Sequence, residues 1–126
     1  MNNELFEFIK ESPTAFHTVE NVAKILSGNG FSELCEGAEF NIVDGGKYFV
    51  KRNGSSIIAF IYKKCASGFM ISAAHSDTPS LKIKTSGEKR GVYTRLSVER
   101  YGGLINYSWL DRPLSIAGRV VVNNNS

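Results

Sequence analysis

Cysteine is scarce. Cys35 and Cys65 lie far apart and outside any C-x-x-C spacing, which argues against a zinc ribbon and against a disulfide framework. Both read as reduced, structural thiols. Histidine is as rare, with only His17 and His75. No stretch of about 18 apolar residues occurs, so no transmembrane helix is readable. A dominant charge is missing too: 15 basic residues face 12 acidic ones for a net charge of +3. The basic residues are scattered rather than gathered into a stripe, which speaks against nucleic acid as a partner. The opening segment MNNELFEFIKESP is acidic where a secretion signal would be positive, and it has no long apolar centre. The expected compartment is therefore the cytoplasm, without a membrane partner. No G-x-S-x-G elbow and no H-E-x-x-H pair is present, which removes serine hydrolases of the elbow type and thermolysin-like peptidases. SGNGF has no P-loop spacing and follows a helix pattern where phosphate loops follow a strand.

What remains is a chain of 126 residues, 42% of them hydrophobic, enough for one domain with a sizeable core. The spacing of Leu5, Phe8 and Ile9 predicts a first helix, capped by Asn2 or Asn3 and ended by Pro13. Phe16, Val19, Val22, Ala23 and Leu26 form the stripe of a second helix, with Gly28 and Gly30 as candidate stop residues. From residue 40 the period shortens. KYFVKRNGSSIIAFIYKK reads as two strands around an Asn53-Gly54 turn, and GFMISAAH reads as a third. SLKIKT alternates, with Leu81 and Ile83 inward and Lys82 and Lys84 toward water, and TRLSVERY and SIAGRVVVN add further strand-like runs. Helices first and a mixed β-sheet after them place the chain in the α/β class. No internal repeat appears, and the polar tail NNNS follows directly on the apolar run Val120–Val122, so the chain reads as cut rather than finished.

The stretch ISAAHSDTPSLKIK carries the chemistry. His75 and Asp77 leave the end of an apolar run preceded by Ser72, Ala73 and Ala74, small residues that leave room for a ligand. At the C-terminal end of a strand in an α/β sheet, side chains project into the crevice where ligands bind. Imidazole is the commonest metal ligand, and a carboxylate beside it fixes its tautomer and raises its basicity. The residues alone leave another reading open, since Asp77-Thr78-Pro79 also makes a turn by itself with the carboxylate on backbone N–H groups. His17, inside the second helix, reads as a partly buried or capping residue rather than a ligand. VERYGGLINYSWLDRP brings Glu99, Tyr101, Gly102-Gly103, Trp109 and an Asp111-Arg112 pair into one segment. It is either a functional loop or a glycine turn with aromatic packing and an ion pair.

Three stretches in order, SPTAFHTVENVAKILSGNGFSEL, AAHSDTPSLKIK and VERYGGLINYSWLDRPLSIAGRVVV, resemble segments of the aspartyl-aminopeptidase family of zinc metallopeptidases. The resemblance spans nearly the whole chain. It implies a cytosolic exopeptidase that releases acidic or neutral N-terminal residues from peptides through metal-activated water. By position, His75 would be a zinc ligand and Asp77 the catalytic carboxylate that orients it. The complete family site holds two Zn2+ ions, with a separate glutamate as general base, and family members form large homo-oligomers.

This sequence departs from the family pattern. It has no Glu-Glu pair, no histidine after His75, and only Glu88, Glu99 and Asp111 as acidic residues beyond Asp77. One histidine does not hold zinc firmly where such sites use about three or four protein ligands. Residues 1–126 are therefore expected to form the N-terminal part of the catalytic domain, an incomplete piece of a zinc-peptidase α/β fold. The piece would end near the start of the family's inserted dimerisation domain and would be inactive alone. A rival reading is a non-catalytic interaction module derived from the same fold. A third, a basic nucleic-acid-binding β domain, would rest on Lys82, Lys84, Lys89, Arg90 and Arg95, which read more simply as a solvated face.

Overall fold

A computed structural model describes residues 2–123, with the side chains of all of these but residues 2, 86, 87 and 89. The described residues form two compact units. One runs to Asp77 and resumes at Ala117; the other is Thr78–Ile116.

The first unit opens with two helices, α1 (Asn2–Glu11) and α2 (Ala15–Gly28). Pro13 lacks an N–H and disfavours helical geometry in the residue before it, so the break falls where the sequence predicts. Asn21 ties the two helices together, its side-chain amide donating to the Glu11 carbonyl at 2.9 Å and to Ser12 Oγ at 3.1 Å. α2 begins after Thr14, whose Oγ1 lies 2.8 Å from His17 Nδ1. His17 is thus half-buried and bonded to a side chain at the helix start, the partly buried placement of the two expected of it; no side chain caps the helix.

The end of α2 corrects one expectation. Gly28 is the last helical residue, and the stop is made by Gly30 at φ +80°. The Gly30 N–H donates to the Ser27 carbonyl at 3.1 Å and the Phe31 N–H to the Leu26 carbonyl at 3.0 Å. These are the two reverse bonds of a Schellman ending, which needs a left-handed residue just past the helix.

A mixed three-stranded sheet follows, in the order β1 (Ser32–Leu34), β2 (Lys47–Arg52), β3 (Ser56–Ile61). β1 and β2 are parallel, β2 and β3 antiparallel. α2 lies against this sheet and contributes the buried Val19 and Ala23. Phe49, 1% exposed, lies at the centre of β2. Lys51, two residues on and so on the same face, reaches Glu20 of α2 at 3.9 Å and Glu33 of β1 at 3.2 Å. The opposite face carries Tyr48, whose ring is 5.8 Å from that of its cross-strand partner Phe60. The Tyr48 hydroxyl accepts the Val43 N–H at 3.0 Å. The β2–β3 turn matches its prediction: Asn53 and Gly54 have φ of 52° and 65°, the paired positive angles of a type I′ turn.

The second unit is a ribbon of β4 (Ser80–Lys89) and β5 (Arg95–Tyr101), antiparallel with a register shift between Ile83 and Glu88. Leu81 is half-buried, but Ile83 is 40% exposed, so the inward face expected of SLKIKT is only partly covered. Gly102 turns the chain at φ +67°, Leu104 is buried, and a short 3-10 helix spans Asn106–Trp109.

Two expected strands are absent. GFMISAAH and SIAGRVVVN lie outside helix and strand, with Phe69 93%, Ile71 86% and Val121 86% exposed. An extended run becomes a strand only when a neighbour offers its N–H and C=O groups, and no described strand pairs with either segment. Of the apolar residues of α1, Leu5, Phe6 and Ile9 are similarly uncovered, all more than half exposed, while Phe8 is half-buried. Cys35 and Cys65 are free, as expected, but both are exposed, so neither is a packing residue.

Candidate functional site

His75, Ser76 and Asp77 sit on irregular backbone at the end of the first unit, not on the strand end that the apolar run predicts. His75 Nδ1 and Asp77 Oδ1 are 3.1 Å apart. With the ionised carboxylate as acceptor Nδ1 carries a proton, and a neutral ring then keeps its lone pair at Nε2. The imidazole is 92% exposed and Asp77 34%, so the histidine stands out from the surface with Nε2 free of this pairing. This is the tautomer that a metal-ligating imidazole needs, set by the carboxylate behind it.

Ser76, between them, has a partner of its own. Its hydroxyl donates to the Ser55 carbonyl in the β2–β3 turn at 2.9 Å. Sequence reasoning singled out the residues on either side and passed over this one, because a serine between two polar residues carries no periodic or compositional signal.

The turn holding Ser55 is fixed from several sides. The Ser55 N–H donates to the Arg52 carbonyl at 3.1 Å. The Arg119 guanidinium donates to the Asn53 carbonyl at 3.3 Å and lies 4.2 Å from the centre of the Phe16 ring, a cation–π contact. At the opposite, open end of this hairpin Asp44 Oδ1 accepts the Lys64 N–H at 2.8 Å, and the Gly45 N–H donates to the Tyr62 carbonyl at 2.8 Å.

As a metal centre the donor set is incomplete. Among the described residues no three His, Cys, Asp or Glu side chains gather in a way that could hold a metal ion. At this corner His75 is the one imidazole, so the residues gathered here do not by themselves fit a zinc ion. The segment with Glu99, Tyr101, Trp109, Asp111 and Arg112 belongs to the second unit. There Arg100 donates to the Leu104 carbonyl at 3.0 Å, and Arg112 donates to the Ser108 carbonyl at 3.3 Å. That carbonyl bond takes the place of the Asp111-Arg112 pairing suggested by adjacency; Asp111 itself sits at φ 53°. An open depression of about 520 Å³ is lined by Tyr107, Ser108, Leu110, Asp111 and Arg112.

Two helices followed by a mixed sheet agree with what comparison with known proteins finds. The family model described as aminopeptidase I zinc metalloprotease (M18) matches residues 8–126. The chain belongs to the M18 aminopeptidase family. It is 43% identical over 98% of its length to a probable M18 family aminopeptidase 2 of Clostridium novyi. It is 44% identical over 94% of its length to aspartyl aminopeptidase 1 of Schizosaccharomyces pombe. It spans 30% and 26% of those two M18 proteins. Among solved structures, mApe1 of Chaetomium thermophilum matches 87% of the chain at 34% identity with a TM-score of 0.79, the chain covering 26% of it. The mApe1 dodecamer of Saccharomyces cerevisiae matches 87% at 32% identity with a TM-score of 0.74, the chain covering 27% of it. The fold is accordingly part of the α/β domain of this family, helices followed by a mixed sheet.

Proposed function

We propose that residues 1–126 are the N-terminal part of a zinc-dependent aminopeptidase catalytic domain, reaching close to where the family's dimerisation domain is inserted. In this reading His75 is a zinc ligand through Nε2, and Asp77 is the carboxylate that holds the imidazole in the ligating tautomer. The observation that carries it is the 3.1 Å His75–Asp77 pairing with the imidazole otherwise open to solvent. The family's description as zinc metalloproteases supports zinc as the metal. The remaining ligands and the general base would come from segments that the longer relatives have and this chain does not span. The chain alone would then have no peptidase activity.

The substrate in a completed site would be a peptide losing an acidic or neutral N-terminal residue, a range supported by the aspartyl aminopeptidase among the relatives. The related dodecamer supports homo-oligomers for the complete protein. Two exposed free cysteines suit a reducing, cytoplasmic compartment, and no described helix is long and apolar enough to cross a membrane. On the ribbon, Lys82 sits opposite Glu99 and Arg90 pairs with Glu88 at 2.9 Å. Those acidic neighbours dilute the basic face that nucleic acid would need.

The test is a chimera in which residues 8–126 replace the matching segment of the Clostridium novyi relative. The chimera is expected to release N-terminal residues from peptides. Asp77→Ala should lower kcat/KM about ten- to a hundredfold, and His75→Ala should lower it further. A chimera that folds, cleaves peptides and is indifferent to His75→Ala would overturn the assignment.

A further inference from the structure

We infer that Ser76 is a positioning residue for the metal corner: its hydroxyl, bonded to the Ser55 carbonyl, holds the backbone between His75 and Asp77 so that the two side chains meet. The inference rests on the reading of His75 as a ligand given above and adds the device that aims it.

The need for such a device follows from the backbone. A strand would hold His75 through its ladder of hydrogen bonds, but residues 69–75 belong to no strand, and Phe69, Met70 and Ile71 are almost fully exposed. The His75 side chain is itself exposed and cannot be held by packing. Ser76 is where the chain returns to the body of the unit: it is half-buried, and its bond to Ser55 spans 21 positions of sequence. The acceptor is itself fixed, because Ser55 closes the positive-φ turn of Asn53 and Gly54, and that turn is tied to Arg119. The tied hairpin end thus serves as the mount for an exposed side chain. With residue 76 anchored between them, the imidazole and carboxylate are already paired before any metal arrives.

The tautomer of His75 reads this out directly in the chain as it stands. Long-range 1H–15N spectra of the labelled protein, at alkaline pH where imidazole is neutral, report which ring nitrogen carries the proton. His17, paired with Thr14 at 2.8 Å, is the internal control. The wild-type chain is expected to show His75 protonated at Nδ1, and Asp77→Ala to convert it to the Nε2–H form that an unrestrained histidine favours. Ser76→Ala should shift His75 most of the way to that same form, Ser76→Thr should restore the wild-type signal, and His17 should stay unchanged throughout.

If Asp77→Ala converts His75 and Ser76→Ala leaves it as in wild type, the tether is wrong while the His75–Asp77 pairing stands. If Ser76→Ala disturbs His17 as well, Ser76 supports the unit generally and the positioning role is overturned. If wild-type His75 is not protonated at Nδ1, the metal-corner reading falls and the tether with it. In the chimera, Ser76→Ala should weaken zinc binding about tenfold, with Ser76→Thr restoring it.

Discussion

A methyl group at position 46 would collide with the Tyr48 ring, so Gly46 is set by close approach rather than by turn geometry. Gly46→Ala is expected to lower stability by about 1–3 kcal/mol, the usual cost of overpacking, seen as a lower urea midpoint. Tyr48→Phe removes the acceptor of the Val43 N–H and should cost about 1 kcal/mol. The candidate site was partly legible at this scale. His75 and Asp77 stand out because histidine is rare in this sequence and this one has an aspartate beside it at the end of an apolar run. Ser76 was not legible, because its role depends on a carbonyl 21 positions away. The exposure of Cys35 and Cys65 was equally hidden, since a thiol's burial is decided by what packs over it.

Element ends show where local sequence decides and where it does not. Gly28 and Gly30 are equivalent candidates by composition, yet only Gly30 has positive φ. Opposite effects are expected from one substitution type. Gly30→Ala should destabilise by about 1–2 kcal/mol through left-handed strain. Gly28→Ala, helical and with nothing near its absent Cβ, should stabilise by up to about 1 kcal/mol. Thermal unfolding of the two variants checks the pair. The helices and the Asn53-Gly54 hairpin were readable because caps, turn residues and periodicity act within a few positions. The strands expected at GFMISAAH and SIAGRVVVN were not realised, since apolar alternation specifies a surface to be covered and says nothing of whether a partner is at hand. Phe49, by contrast, is covered by α2, and Phe49→Ala should cost about 3–5 kcal/mol.

Across the molecule, burial is small for the length. Among the described residues the buried apolar side chains are Val19, Ala23, Tyr48, Phe49 and Leu104, while Phe69, Met70, Ile71 and Val120–Val122 lie open to solvent. A chain with so little apolar area removed from water has a small margin over its conformational entropy. The isolated protein is therefore expected to melt below about 45 °C, the lower edge for ordinary mesophilic domains, and to self-associate through its open segments. Ile71→Lys should reduce light scattering at unchanged melting temperature, because the side chain it replaces is 86% exposed.

The same incompleteness governs the chemistry: one imidazole is aimed and held, and the described residues do not gather a ligand set around it. Calorimetric titration of the 126-residue chain with zinc, beside His75→Ala, tests this most directly. The expected result is no resolvable binding at tens of micromolar protein and no difference between the two. Binding at about micromolar strength or tighter that disappears in His75→Ala would contradict it, since roughly three or four protein ligands are needed for such a site and His75 would then be one member of a site that this chain completes.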